Sequence, residues 1–280
     1  AGLVLVRHRR YLEALPYLEK AVQADKSDIS LALTLGDAYV NTNRGQQALA
    51  LYERIKNDAK NNVNLWFNLG VLRGRAGDAA GSEQAYRQAL SIAPGDIDTL
   101  NNLGLHLYRA GKYRESLALF DKLSGLVPSS VSAKINLGAA ASRSGDMPRA
   151  VVAWKEVIRA DPSQLSVRLD LANALWEAGD FKGAEYHYLQ ALKQDKNNAE
   201  ALNGIGLVHL RNNRLPQAEA AFRSSLAADS KFLAAYNNLA VTLERSGRRN
   251  QAVELLERAL KLYPEDVELK QNLQRMRSIG

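Results

Sequence analysis

IDTLNNLGLHLYRAGKYRESLALFDKLSGLVPSS, residues 97–130, and VSAKINLGAAASRSGDMPRAVVAWKEVIRADPSQ, residues 131–164, are one 34-residue text written twice. Leu103–Gly104 returns as Leu137–Gly138, Ser116 as Ala150, Phe120 as Trp154 and Pro128 as Pro162. Outward from this pair, the leucine–glycine step continues upstream as Leu69–Gly70 and Leu35–Gly36. Downstream it runs on as Leu171–Ala172, Ile205–Gly206 and Leu239–Ala240, with no insertion. A small column (Ala14, Ala48, Ser82, Ser116, Ala150, Ala184, Ala218, Ala252) and a bulky column (Leu18, Tyr52, Tyr86, Phe120, Trp154, Tyr188, Phe222, Leu256) keep the same register. A fixed period of this length specifies a repeat architecture in which each copy is one supersecondary unit.

The unit reads as two helices. Leu100, Leu103, Gly104 and Leu107 recur at steps of three and four, as do Ala150, Trp154, Val157 and Ile158. Gly77, Gly111, Gly145, Gly179 and Gly247, with Asn43 and Asn213 in the same column, suit the left-handed conformation that ends the first helix. Pro148 and Pro216 fall in the first turn of the second helix, where a missing donor costs little. Asn61–Asn62, Asp96, Ser129–Ser130, Ser163 and Asn197–Asn198 suit the N-cap of the following first helix. Pro16 predicts a bend or a late start in its helix. Small residues let the two backbones approach, and the bulky column fills the space between one pair and the next. Trp66 and Trp154 fall in these packing columns and belong in the core. A leucine at Gly104 should force its helices apart, whereas Gly183 reads as exposed and tolerant.

These columns resemble the tetratricopeptide repeat, a 34-residue helix–turn–helix unit, over essentially the whole chain. The resemblance implies an all-α fold, an α-solenoid wound as a right-handed superhelix. The repeats are 29–62, 63–96, 97–130, 131–164, 165–198, 199–232 and 233–266, preceded by a partial repeat at 1–28 and followed by a capping helix at 267–280. Lys270, Gln274 and Arg277 replace apolar columns in that last helix, as a solvating cap requires. Arg73 and His209 depart from the family pattern, and so does Phe232 at a cap position. Ala1–Gly2 matches the middle of a first helix and no initiator methionine precedes it, which points to a chain cut from a longer protein.

Composition excludes more than it assigns. The chain has no cysteine, so disulfides and thiolate metal sites are excluded. His8, His106, His187 and His209 stand in different columns of different repeats and do not converge as metal ligands. Gly111–Lys112 is followed by Tyr113 and lacks phosphate-loop spacing. Gly70, Gly74 and Gly77 follow a helix, not a strand, and so form no dinucleotide fingerprint. No serine sits in a nucleophile elbow. The reading is therefore non-catalytic, with no cofactor and no metal. The net charge of +7 suggests acidic partners, and the columns lack the steady code a base-reading repeat needs. No stretch is long and apolar enough to span a membrane, and the compartment stays open between periplasm and cytoplasm.

Function then falls to a surface. The resemblance implies that the first helix of each repeat lines the inner side through its second, fifth, sixth, ninth, twelfth and thirteenth positions. The sixth position carries Asn68, Asn102 and Asn136, and the fifth adds Asn101, Asn203 and Asn237. The thirteenth carries Arg75, Arg109, Arg143, Arg211 and Arg245, interrupted by Glu177. Phe67, Tyr108 and Trp176 are candidate apolar anchors. An amide both donates and accepts, so the asparagine row suits the backbone of an extended chain; the same amides also suit bonds to the adjacent helix. The arginines suit acidic groups, or the negative end of their own helices. The asparagine row is similar to the ladder in the repeat arm of O-linked N-acetylglucosamine transferases. The two-carboxylate clamp of chaperone-binding members has lysine at the fifth position, and here none is present.

The leading reading is a scaffold that binds a protein or an extended peptide with acidic residues in a concave groove. Phe67, Asn68, Arg75, Asn101, Asn102, Tyr108, Arg109, Asn136, Arg143 and Trp176 are the candidate contacts. The alternatives are the substrate-recruiting arm of a larger, glycosyltransferase-like enzyme and a bacterial envelope or polysaccharide-export scaffold.

Overall fold

The structure is a computed structural model and describes residues 1–278. Seventeen helices occur among the described residues, and none of these residues lies in a strand. The first pair is α1 (Gly2–Arg7) and α2 (Tyr11–Ala24), followed by α3 (Ile29–Asn41) with α4 (Gly45–Ile55). Next come α5 (Val63–Arg75) with α6 (Ala79–Ile92), α7 (Ile97–Arg109) with α8 (Tyr113–Leu126), and α9 (Val131–Ser144) with α10 (Met147–Ala160). The rest are α11 (Leu165–Glu177) with α12 (Phe181–Gln194), α13 (Ala199–Arg211) with α14 (Leu215–Ala228), α15 (Leu233–Arg245) with α16 (Arg249–Leu262), and α17 (Val267–Ser278). We call the first helix of a pair A and the second B.

The chain divides into two compact units, residues 1–136 and 137–280, with the division inside α9. Within the first unit α2 packs on α1 and α3, α4 on α3 and α5, and α6 on α5 and α7. The second unit repeats the scheme, with α12 on α11 and α13 and with α16 on α15 and α17.

The packing columns explain this stacking. Leu69, Leu103 and Leu171 are almost wholly buried, and so are Ala48, Ala150 and Ala218. Each buried leucine contributes about 1.5–3 kcal/mol relative to exposure, so the column is the main driving force of each pair. The B-helix ring then lies directly on the A-helix backbone. A Cβ added at Gly104 would stand 2.8 Å from the Phe120 ring, and one at Gly138 would stand 2.4 Å from Trp154 Nε1. Where the small column holds serine, the hydroxyl bonds the facing glycine's carbonyl: Ser82 Oγ to Gly70 O at 2.7 Å, and Ser116 Oγ to Gly104 O at 2.8 Å.

The A–B turns share one geometry. Gly77 and Asn43 have φ of 85° and 60°, and Arg9 takes up the same column with φ of 57°. The amide that follows closes a bond to the carbonyl five residues back, as Lys112 N does to Leu107 O at 2.9 Å. Asn62, Asp96, Ser130 and Asn198 cap the next A helix through their side chains. Ser163 does not: its hydroxyl donates to Asp161, and Gln164 holds the cap position of α11 without a side-chain bond. Pro16 lies inside α2, which runs unbroken from Tyr11, so there is no late start. Trp66 is only half-buried and donates to Lys60 O at 2.8 Å, unlike Trp154, which is buried. Arg73 is accommodated by Glu53 of the preceding B helix, with Nε to Oε1 at 2.8 Å.

Two tests follow. Gly104→Leu should lower the urea midpoint, by about 3 kcal/mol of stability, because the ring has no room to yield. Gly183 is not the tolerant comparison that sequence implies. It is half-buried, and a Cβ there would meet the capping Asp180 carboxylate at 2.5 Å. Gly125, with nothing within 4 Å, serves instead, and Gly125→Ala should gain up to about 1 kcal/mol. Equal losses in the two variants would contradict the packing scheme.

The second test concerns His187. It occupies the column that holds Leu51, Leu119 and Leu255 in other repeats. Burial, then the charges of Arg168 and Lys155, lower its pKa from 6.5 to about 4, with Asp180 opposing. The fold therefore favours the neutral ring. That contribution is complete above pH 6.5 and is lost as pH falls toward 4. His187→Leu should leave the thermal midpoint near the parent's at neutral pH and reduce its fall across this acid range. A variant whose midpoint falls as steeply as the parent's would refute the assignment.

Candidate functional site

The A-helix face of the first unit carries most of the candidate contacts. Asn68 donates to Asp37 Oδ1 at 3.3 Å and to the Tyr52 hydroxyl at 3.2 Å. Asn136 donates to Asn101 Oδ1 at 3.3 Å, across one repeat. The second unit repeats that bond, with Asn238 to Asn203 at 2.9 Å and Asn272 to Asn237 at 3.1 Å. The sixth-position amide therefore donates to the fifth-position amide of the repeat before it wherever both are asparagine. Asn203 and Asn237 are buried in this role, so they are not open to a ligand. Asn102 follows Phe67 and has no such acceptor, and it donates instead to Asp98 O of its own helix at 2.8 Å. Each contact takes one of the donor's two N–H groups and leaves its carbonyl oxygen for other use.

A second regularity involves the bulky column. Tyr52 donates to Asp37 Oδ1 at 2.5 Å, and Tyr188 donates to Asn173 Oδ1 at 2.6 Å. Both acceptors stand at the ninth position of the same repeat's A helix. Burial raises the pKa of the Asp37 carboxyl, and the Tyr52 hydrogen bond works against that shift. In the repeat at 63–96 the ninth position is Val71, which offers no acceptor. The Tyr86 phenol lies by Ser82 instead and feels the charges of both Arg75 and Arg109. Burial is the larger influence and raises its pKa, so the hydroxyl stays protonated as a donor.

Around Tyr86 the face opens into a cleft of about 600 Å³. Arg75, Asn102 and Arg109 line it together with Val71, Leu105 and His106. Both arginines are exposed, and neither has a carboxylate partner among the described residues. Phe67 is half-buried beside this cleft, its ring 6.0 Å from Tyr86. Tyr108 pairs with Tyr113 at 5.3 Å. The two aromatics thus belong to separate ring pairs.

Arg143 and Trp176 belong to the second unit. Arg143 is exposed at the end of α9. Trp176 meets Phe181 edge-on at 4.9 Å, and the Arg211 guanidinium stacks over Phe181 at 3.6 Å. Arg245 is engaged too, with Asn213 Oδ1 at 2.9 Å. No group of three or more histidine or acidic side chains is arranged to hold a metal among the described residues. Asp37, Tyr86 and His106 also belong to this face, with Tyr52 buried beneath it, and the sequence marked none of them as contacts. For Asp37 and the tyrosines the signal was the ninth position and the length of a tyrosine in a packing column.

Profiles of the tetratricopeptide repeat match residues 5–69, 63–96, 101–164, 169–231 and 233–266. Among solved structures, the C-terminal part of a TPR repeat-containing protein from Cytophaga hutchinsonii is similar, with a TM-score of 0.64 and 18% identity over 85% of this chain and 98% of that one. YrrB, a TPR protein with an unusual peptide-binding site, gives a TM-score of 0.58 and 14% identity over 66% of this chain and 95% of that one. A thermophilic TPR protein from Thermus thermophilus gives a TM-score of 0.53 and 22% identity over 64% of this chain and 98% of that one. At these identities the likeness is one of fold. No curated protein matches the sequence. With repeat profiles covering nearly its whole length, the chain belongs to the tetratricopeptide repeat family.

Proposed function

We propose that the chain is a non-catalytic scaffold that binds an extended, acidic protein segment on the A-helix face of its first unit. The observation that carries this reading is the cleft at Tyr86, where Arg75 and Arg109 stand exposed without carboxylate partners over an apolar floor of Val71 and Leu105. Some cations of this unit are neutralised by neighbours, as Lys112 is by Glu83 and Arg73 by Glu53. An acidic side chain of a ligand would take the arginines through charge-assisted bonds. An apolar neighbour would rest on the floor beside Phe67. Asn68, Asn101, Asn102 and Asn136 would offer their remaining amide groups to the ligand backbone. In repeats of the second unit Arg143 holds the thirteenth position and Trp176 the twelfth. That YrrB has a peptide-binding site supports the class of ligand.

The test uses two labelled, unstructured peptides that alternate leucine with glutamate or leucine with glutamine. The glutamate peptide should bind more tightly, and added salt should weaken it moderately, because exposed charge contacts are screened. Arg75→Ala/Arg109→Ala should weaken it roughly ten-fold or more, since hydrogen bonds to charged groups are worth about 1.5–3 kcal/mol. Asn102→Ala should matter less, because its amide already serves Asp98 O. Unchanged affinity in the double arginine variant would rule out this face.

A further inference from the structure

On the B-helix side of the second unit, two successive outer helices expose stripes that contain no carboxylate. The exposed residues of α10 are Pro148, Arg149, Val152, Lys155, Arg159 and Ala160. Those of α12 are Lys182, Tyr186, Leu189, Lys193 and Gln194. Other B helices differ: α8 exposes Glu115 and Asp121 among its cations, α16 exposes Glu254, and α4, α6 and α14, though free of exposed carboxylates, each expose a single cation, Arg54, Arg87 and Arg223. Some cations on other B helices find partners, as Arg87 does with Glu115 and Arg223 with Glu219. Lys155, Arg159, Lys182 and Lys193 have no ion pair among the described residues; Arg149 is held by Asp146 at 3.4 Å. The nearest acids on these helices, Glu156 and Glu185, are half-buried beside the stripes. Asp161 and Asp180 are engaged at helix ends with Ser163 N and Gly183 N.

The apolar members are large and open. Val152 is 59% exposed, Tyr186 57% and Leu189 45%. Val152 and Tyr186 occupy the same position in successive repeats, so they stand level on the two helices. On α12 the order Lys182, Tyr186, Leu189, Lys193 runs at steps of four, three and four, which is one helical stripe with a cation at each end. On α10 Val152, Lys155 and Arg159 form a matching stripe. Apolar tips that project between long cationic side chains suit a planar interface. Lysine and arginine stems can lie along the surface while their heads reach phosphates, and tyrosine favours the headgroup level. Neither insertion of three side chains nor four charges is a strong anchor alone; together they are the two signals that peripheral attachment needs.

We propose that the outer face of α10 and α12 docks on an anionic lipid surface, with Val152, Tyr186 and Leu189 at headgroup depth and Lys155, Arg159, Lys182 and Lys193 against lipid phosphates. The experiment is co-sedimentation of the full chain with vesicles of phosphatidylcholine alone or with about one-third phosphatidylglycerol, at low and high salt. Binding should require the anionic lipid and fall at high salt. Each basic residue contributes roughly five-fold to such partitioning, so K155Q/R159Q/K182Q/K193Q should lose about a hundred-fold or more. Tyr186→Ser/Leu189→Ser should lose roughly ten-fold at unchanged charge. A charge-matched control on the first unit, K20Q/R54Q/R114Q/K122Q, should bind like the parent, with circular dichroism verifying the fold of each variant. Equal binding to neutral vesicles, or equal loss in the control, would overturn the proposal. So would a parent that ignores anionic vesicles while these four cations bind an acidic peptide or single-stranded RNA.

Discussion

Everything in this fold depends on how closely a B-helix ring can approach the backbone of an A helix. A methyl group at Gly138 would already overlap the Trp154 indole. Interiors are packed at crystal-like density, so the absent side chain is as much a part of the design as the ring that replaces it. The close approach also sets where the A helix directs its other residues. The fifth, sixth and ninth positions can meet partners in register from one repeat to the next only because each pair is seated at the same depth. The hydroxyls of Ser82 and Ser116 reinforce that seating by bonding the glycine carbonyl opposite.

The asparagine row follows from this register. Asn136 reaches Asn101, and Asn272 reaches Asn237, because the same offset recurs at every step where both residues are present. A buried polar acceptor such as Asn237 is tolerated because it is paired. The row therefore joins consecutive A helices before it can serve a ligand, and it supplies little selectivity by itself. Selectivity on this face resides in the charged and ring positions around Tyr86. There Val71 replaces the polar ninth residue seen as Asp37 and Asn173, and the tyrosine hydroxyl is left to the cleft.

The helices were legible in the sequence because each repeat restates the same apolar steps, turn residue and small–bulky pair, and errors at one copy are corrected by the others. What was not legible depends on partners that lie one repeat away. Ser163 looks like a cap until Asp161 takes its hydroxyl. Trp66 reads from sequence as a core residue, as Trp154 does, yet it stops half-way out and donates to Lys60 O. Phe67 and Tyr108 read alike as apolar anchors, but each is paired with a ring of its own, Tyr86 and Tyr113. The arginine column looks uniform; Arg211 is stacked on Phe181 and Arg245 is bonded to Asn213, whereas Arg75 and Arg109 face a cleft. Column identity predicts where a Cα sits and leaves the partner of a long side chain undetermined.

Gly204, one of the breaks in the asparagine row, shows how these constraints interact. Ala172 stands in the column of Gly36, Gly70, Gly104, Gly138 and Gly206, where a Cβ would overlap the B-helix ring of the same repeat. The Tyr188 ring of that repeat lies instead against the following A helix, where a Cβ on Gly204 would come within 2.5 Å of it. Gly204 is the sixth position of its repeat, the place of the ladder asparagine. An asparagine there would collide with the ring, so the loss of glycine at one column requires glycine at another. Tyr188 keeps its hydrogen bond to Asn173 from this position, and Asn173 in turn donates to Glu200 at 2.6 Å. The gap in the row is thus a steric consequence of a single methyl group in the preceding repeat. It breaks the amide series at that step while leaving the helix pairs on either side packed by the same rule.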